Sequence, residues 1–438
     1  MNQKGVSVNI VEARRLTLRA SFGLVALVVP FLGSTGSLFF FLFLSLLIVL
    51  VNPKMHVFLL LATVPDRKSE VLVKPLALML SLTALCIFSV VSSLPLYVVS
   101  DVIIIVTLAE VLAVLFESYG GLTSSLIFIL SGGFFGFLVG GAAATFTNVN
   151  ASADFLLFVA MIGALVGALL RTILHDIEEN VVLPLGIGFA IWLFVGFDYS
   201  VPVLRLLLTL LFMIILGYAL GRVRLADVSG VLSGMLMGLL IVSFTNFSWF
   251  VLILSFFVIG GIFTKYKYDY KRAIGIAQGG GGARGYKNVF GNGLVALVCA
   301  IAFGITGNAL LVVAYIGAVA TATGDTLASE IGQTSKKLPR LITDLRGVPH
   351  GTDGGITTLG EYSALAGAGA IAIIGLILGI GAPNTAVPVI LGGFFGANFD
   401  SVLGAVFERR HYLTNSSVNL LATVAGAIAA VIIYLLLL

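Results

Sequence analysis

Two aspartates stand in surroundings where a charge is expensive. Gly324-Asp325-Thr326-Leu327-Ala328-Ser329-Glu330 closes an apolar run that begins near Leu310, and Gly396-Ala397-Asn398-Phe399-Asp400-Ser401 lies within another. An acid at the centre of a membrane helix costs roughly 2.5–3.5 kcal/mol on insertion scales and less toward an end. Each acid therefore calls for a compensating partner, or for a helix end that reaches water. On a helix Asp325 and Ser329 share a face, with Glu330 close by. Carboxylates so placed suit Mg²⁺, which takes one or two of them and keeps waters. Asp325, Asp400 and Glu330 are the candidate metal ligands, with Ser329 and Ser401 as adjacent hydroxyls.

The segment between the two acids suits anions. Residues 332–360 supply Lys336, Lys337, Arg340, Thr343 and Arg346, then Pro349-His350-Gly351-Thr352-Asp353-Gly354-Gly355-Ile356-Thr357. Cations beside a Gly/Thr turn that enters a helix N-terminus make an anion site. Read more plainly, the same cations are topology signals or lipid head-group contacts. Upstream, Gly279–Gly282 lead through Arg284, Lys287 and Asn288 to Asn292. Such glycines bring backbone N–H groups close to a phosphate, or form a flexible linker. Gly280, Gly282 and Gly285 formally satisfy GxGxxG, but no strand precedes them and no βαβ unit surrounds them, so the dinucleotide reading is excluded. His350 reads as a loop residue. The sequence offers neither a Ser/His/Asp triad nor a Walker Gly-Lys-Ser/Thr.

The elements that must position these residues are membrane helices. Of 438 residues, 59% are hydrophobic and 10% charged, against roughly 25% charged in soluble proteins. Runs such as Leu38–Val51, Pro75–Val91, Phe155–Leu170 and Val418–Leu438 approach the ~20 residues that cross a bilayer as a helix. The net charge of +4 does not point to nucleic acid, because the charges punctuate the apolar runs. Connections near Ser34, Ser93, Asn148, Asp198, Asn246, Gly307 and Pro383 hold no Lys or Arg, with Arg205 the one basic residue close to that side. That is the positive-inside bias, with the N-terminus and the basic loops cytoplasmic and about fifteen spans. The expectation is an all-α, polytopic membrane protein, with Met1–Ala20 not a cleaved signal and Cys86 and Cys299 unpaired. Polar motifs concentrate in residues 201–438, whereas 1–200 read as nearly featureless. Phe399–Ala430 can be laid over Ile162–Leu193, a faint sign of internal duplication.

The string from Gly324 to Gly332, then Pro339-Arg340-Leu341-Ile342-Thr343, Val348 to Thr357, and Asp400-Ser401-Val402-Leu403-Gly404-Ala405 resembles the phytyl-phosphate kinase family of plants and cyanobacteria. Archaeal and animal membrane proteins share the pattern. Thr264-Lys265 and Asn292-Gly293 also fit, and the resemblance runs from about Arg205 to the C-terminus. The N-terminal half is more distantly similar to phytol and dolichol kinases, through Glu178 to Pro184 and Gly120 to Gly141, but lacks a Gly-Asp pair; a structural or lipid-binding role is expected of it. Leu327, Asn288 and Glu408 depart from the residues expected there (Trp, Gln and Gln), which bears on substrate fit.

The resemblance implies a CTP-transferase-like membrane fold and transfer of a phosphoryl group from a nucleoside triphosphate, CTP by preference, to an isoprenyl monophosphate such as geranylgeranyl or phytyl phosphate. It implies Mg²⁺ on Asp325 and Asp400, with Glu330 as a third candidate. Lys336, Lys337, Arg340 and Arg284 would hold phosphates, and Thr352, Gly354 and Gly355 would shape the receiving turn. Lys287, Asn288, Asn292, Thr343, Gly351, Asp353 and Thr357 complete the expected cofactor-binding set. The expected partners are the lipid substrate, the nucleotide and membrane lipids; a homo-oligomer is compatible with the sequence. Two alternatives stay open: a polyprenol kinase or CDP-lipid-forming cytidylyltransferase, and, in another class, a secondary transporter with acids inside its helices.

Overall fold

A chain this apolar must satisfy its backbone internally, and helix is the solution available to each segment by itself. The computed structural model describes residues 10–438 apart from 53, 56–57, 59–60, 63–71, 175–176, 198 and 278–282. Helix makes up 79% of the structure. The strands among the described residues are β1 (Arg340–Leu341) and β2 (Gly355–Ile356), one short antiparallel pair.

Twelve helices among the described residues are long and apolar enough to cross a membrane, and Glu179–Val195 and Val228–Phe244 are shorter apolar helices. The helical membrane class is therefore as expected, while twelve such helices do not confirm the count of about fifteen spans. The sequence suggests a connection near Ser34. There Gly33 (φ 66°) leaves helical geometry and divides Val25–Val49 into two helical stretches, and the Ser37 hydroxyl donates back to the Val29 carbonyl at 3.1 Å. The connections expected near Ser93, Asn148, Asn246, Gly307 and Pro383 do fall between helices; Asp198 lies outside the described residues.

The chain divides into two compact units, Met1–Leu208 and Thr209–Leu438. The first holds α1 (Ile10–Phe22), α2 (Val25–Val49), α3 (Val73–Val91), α4 (Leu96–Leu115), α5 (Gly121–Phe146), α6 (Ala153–Ile173) and α7 (Ile177–Val195). Its sequence looked featureless, yet its interior is not. Arg171 on α6 pairs with Glu110 on α4 at 2.8 Å and donates to Ser124 on α5 at 3.1 Å. Asp101 on α4 is buried so close to α5 that a Cβ on Gly140 would stand 2.2 Å from its Oδ1. Hydropathy averages hid these groups, because each is a single polar residue in a long apolar run.

The second unit takes most of α8 (Val203–Arg222), then α9 (Val228–Phe244), α10 (Phe247–Lys265), α11 (Tyr268–Ala273), α12 (Tyr286–Thr306), α13 (Leu310–Gly332), α14 (Thr358–Ile377), α15 (Ala386–Val406) and α16 (Asn415–Leu436). Polar side chains start several of these helices by accepting from a free first-turn N–H. Asp227 caps α9 through Gly230 N at 2.9 Å, Asn246 caps α10 through Ser248 N at 2.9 Å, and Thr357 caps α14 through Gly360 N at 3.0 Å.

At the centre stands α13, packed against α10, α12, α14, α15 and α16. Small residues make this possible, as is usual where membrane helices approach closely. A Cβ on Gly317 would lie 2.7 Å from the Ala430 Cβ, one on Gly324 3.0 Å from the Ala364 carbonyl, and one on Gly396 2.5 Å from the Thr321 side chain. Between α15 and α16, a Cβ on Gly392 would meet the Ala430 backbone nitrogen at 2.6 Å. We expect Gly392→Val to destabilise the protein by roughly 1–3 kcal/mol through overpacking. Thermal unfolding in detergent should show a lowered midpoint, whereas Gly369→Ala, with open space around its site, should leave the midpoint unchanged or raise it.

Candidate functional site

Four helices of the second unit carry a polar residue near the same end. Asp325 lies seven residues before the end of α13 and Asp400 six before the end of α15, while Asn292 lies six residues into α12 and Asn419 four into α16. At ~1.5 Å per residue these are depths of roughly 6–11 Å. Short connections make α12 antiparallel to α13 and α15 antiparallel to α16, so the four positions share one level.

There the carboxyl groups of Asp325 and Asp400 face each other within hydrogen-bonding reach. In the amide orientation that satisfies its neighbours, Asn419 donates to an Asp400 carboxylate oxygen at 3.2 Å and accepts from Asn292 Nδ2 at 3.0 Å. Asn292 Nδ2 also donates to the Asn288 carbonyl at 3.0 Å. The Asn288 Oδ1 is buried without a partner among the described residues. Glu408 lies within electrostatic reach of both aspartates, Glu330 of Asp325, and Asp353 of Asp400.

Two like charges side by side in an apolar bundle are costly unless a proton or a cation lies between them. The oxygens offered, from two carboxylates with amides beside them, are hard donors that suit Mg²⁺ completed by waters and phosphate oxygens. Among the described residues no three acids, histidines or cysteines gather into a cage. A cation at this pair would take few protein oxygens and would keep open positions.

The loop between α13 and α14 returns over this level. β1 pairs with β2 in the register Arg340↔Ile356 and Leu341↔Gly355. Ile342 N donates to the Gly354 carbonyl at 3.0 Å, and Gly355 N to the Thr352 carbonyl at 3.0 Å. Gly354 (φ 75°) comes so close to α15 that a Cβ would lie 2.6 Å from the Ser401 carbonyl and 2.5 Å from Ala405 N. Only glycine accepts both that backbone and that contact. Gly354, Gly355 and Ser401 are thus brought beside the turn that carries Asp400. Gly351 (φ 81°) packs against Ile276. The Thr352 hydroxyl donates to the Pro349 carbonyl at 2.8 Å. Lys336, Lys337, Arg340, Thr343 and Asp353 are exposed on the same loop.

Other expected residues are placed differently. Thr357 is buried and its hydroxyl is engaged as the α14 cap. Ser329 is exposed and donates to the Thr326 carbonyl at 3.0 Å. Lys287 is exposed, its Nζ over the Tyr286 ring. Glu330, expected as a third metal ligand, forms a buried ion pair with Lys271. The Lys271 ammonium also donates to the carbonyls of Thr264 at 2.9 Å and Phe263 at 3.3 Å, neutralising the C-terminal end of α10.

Arg284 lies against α10, apart from the loop cations. Its backbone is fixed to the start of α9 by Arg284 N to the Leu225 carbonyl at 3.0 Å and Asp227 N to the Arg284 carbonyl at 3.2 Å. The side chain is 5% exposed, with the guanidinium 5.0 Å from the Phe256 ring centre. Burial draws it down to about 10, with Glu330 acting in the opposite direction, so it stays cationic at neutral pH. The Gly279–Gly282 run lies outside the described residues.

Sequence reading missed Asn419 and the structural part of Lys271. A signal for the first existed: an amide early in an apolar helix that starts at the same end as the Asn292 helix. Lys271 read as one more topological cation, and nothing in its neighbours marks it as buried.

The family model described as integral membrane protein DUF92 matches residues 211–427. An uncharacterized membrane protein of Methanocaldococcus jannaschii is 36% identical over 237 residues, which are 54% of this chain and 98% of that protein. The chain belongs to the DUF92 family. Two Arabidopsis thaliana proteins are also similar: Protein VTE6, chloroplastic, at 30% identity over 47% of this chain and 64% of its own length, and Protein PGR at 30% over 47% and 80%. No solved structure matches the chain. The DUF92 match lies wholly in the second unit and includes Arg284, Asn292, Asp325, the hairpin, Asp400 and Asn419.

Removing one partner of a buried ion pair leaves an uncompensated charge, at a cost of about 3–5 kcal/mol. Lys271→Met should therefore lower the unfolding midpoint of this DUF92 protein strongly, and Lys271→Met combined with Glu330→Gln should recover much of the loss. Equal damage in the single and double variants would show that the pair is not what Lys271 contributes.

Proposed function

We propose that this protein transfers the terminal phosphoryl group of a nucleoside triphosphate, CTP in the first instance, to an isoprenyl monophosphate such as geranylgeranyl or phytyl phosphate. The products are the isoprenyl diphosphate and the nucleoside diphosphate. The observation that carries this reading is the Asp325–Asp400 pair at one end of an apolar bundle, beneath a glycine hairpin that also carries Lys336, Lys337 and Arg340. The motif resemblance to phytyl-phosphate kinases supports the same chemistry.

An oxygen of the acceptor phosphate attacks the γ-phosphorus in line, and the bond from that phosphorus to the β,γ-bridging oxygen breaks, with its electron pair leaving on the nucleoside diphosphate. The nucleophile arrives already anionic, so no strong base is needed, and the protein's task is positioning and charge neutralisation. Asp325 and Asp400 would hold Mg²⁺, which when bound neutralises charge developing on the phosphate oxygens. Asn419, itself held by Asn292, orients Asp400 in the way that hydrogen-bonded neighbours orient metal-binding carboxylates. Lys336, Lys337 and Arg340 extend from the hairpin as partners for the nucleotide phosphates.

The depth of the acids favours this reading over transport. Transporter sites lie near the bilayer midplane between repeats, whereas here the acids sit within a few turns of the helix ends that carry the basic loops. The charge bias of those loops supports a reaction on the inner face of the cell membrane.

Purified protein in detergent, supplied with Mg²⁺, an isoprenyl monophosphate and labelled CTP, ATP, GTP or UTP, should form isoprenyl diphosphate. Asp325→Asn and Asp400→Asn should each lower the rate by at least about 100-fold, the scale of losing a main electrostatic stabiliser. Release of pyrophosphate with a CDP-lipid product would instead identify a cytidylyltransferase. If no nucleotide is consumed with any isoprenyl phosphate or alcohol, the enzyme reading is wrong.

A further inference from the structure

The second unit contains a groove separate from the paired acids. Its walls are α8, α9 and α10, with Met213, Leu216, Val231, Met235, Phe250 and Leu254 among the lining residues. It is open to the surroundings, with about 60 Å³ of space for water-sized occupants between its walls. Along α9 the lining runs from Gly230 to Gly238, or ~12 Å at the helical rise. At Gly234 no other atom lies within 4 Å of where a Cβ would be, so the groove floor is open at this point.

Among the described residues one charged group lines this apolar space, and that is Arg284. Its guanidinium lies across Gly260 and beside Phe256 and Phe257. The Nε and Nη1 atoms are buried and have no hydrogen-bond partner among the described residues. An unpaired buried cation is strongly unfavourable, and facing aromatic rings offset only part of that cost. Lys271, the other buried cation of this region, has a carboxylate and two carbonyls. The contrast marks Arg284 as lacking a hydrogen-bond partner among the described residues. Glu330 lies within electrostatic reach of both Arg284 and Asp325.

We infer that the groove holds the phosphate-proximal part of a single-chain isoprenyl phosphate, its hydrocarbon between α8, α9 and α10 and its phosphate on Arg284. This inference deepens the proposed function and rests on it for the identity of the occupant. A guanidinium presents paired N–H donors in the geometry of phosphate oxygens. A groove of ~12 Å is much shorter than the ~30 Å hydrocarbon core, so the distal chain lies outside it. Selection should therefore act on the first isoprene units and fade for longer chains.

The test measures binding by the full chain in detergent, without nucleotide or Mg²⁺, by calorimetry. Geranylgeranyl monophosphate, geranylgeraniol, inorganic phosphate and a two-chain phosphatidic acid are the probes. The monophosphate should bind best. Arg284→Gln should weaken it at least 10-fold while leaving geranylgeraniol unchanged, and Gly234→Leu should weaken both while leaving Mg²⁺–CTP binding intact. A diazirine on the first isoprene unit of the monophosphate should crosslink to Val228–Phe244 and Phe247–Lys265, which locates the chain even if a variant folds poorly. Crosslinks confined to other helices, equal binding of phosphatidic acid, or a well-folded Gly234→Leu with wild-type affinity would each overturn the inference. Because no nucleotide is present, groove binding in a protein that fails to transfer phosphate would refute the reaction and keep the groove.

Discussion

Two carboxyl groups held face to face beneath the end of a membrane bundle constrain nearly everything around them. Neither can be left to lipid, and neither can be brought to the other by long side chains, because aspartate reaches only a short distance from its backbone. The helices themselves must approach. That requirement accounts for glycine and alanine at the crossings of α13, α14, α15 and α16, where bulk would hold Asp325 and Asp400 apart. It also explains the amides at the same level. Asn419 and Asn292 are neutral, so they can orient Asp400 without adding charge to a region already rich in it.

Much of this was legible in the sequence, for a physical reason. An acid inside an apolar run has few inexpensive explanations, so Asp325 and Asp400 stood out, and the positive-φ glycines of the hairpin followed from the Gly-rich turn beside them. The parts that were not legible are those where the energetic signal is weak or ambiguous. An asparagine in a membrane helix carries no formal charge, so Asn419 blended into its run. Glu330 beside Asp325 looked like a third ligand because spacing along one helix cannot reveal a lysine on a different one. In the first unit, Asp101, Glu110 and Arg171 were diluted by apolar neighbours.

Lys271 and Arg284 show how similar residues take opposite parts. Both are cations in the same stretch of sequence and both are buried. Lys271 meets Glu330 and the carbonyl end of α10, so its charge is matched within the chain and its contribution is to hold α10 against α13. The Arg284 backbone is fixed as firmly, through Leu225 and Asp227, but its guanidinium is left beside aromatic rings and an apolar groove. Rigid placement of an unmatched charge is how a protein prepares a site in advance of its ligand.

The small-residue crossings of α13 also limit how the second unit can move. A helix touched by the backbone or Cβ atoms of its neighbours on several sides cannot slide by a residue without placing a larger side chain where a glycine now stands. Shear between packed helices, one common route to conformational change, is therefore closed to the core of this unit. Any rearrangement that accompanies a working cycle falls to elements outside that lock. The bundle acts as a stator, about which any moving part must turn.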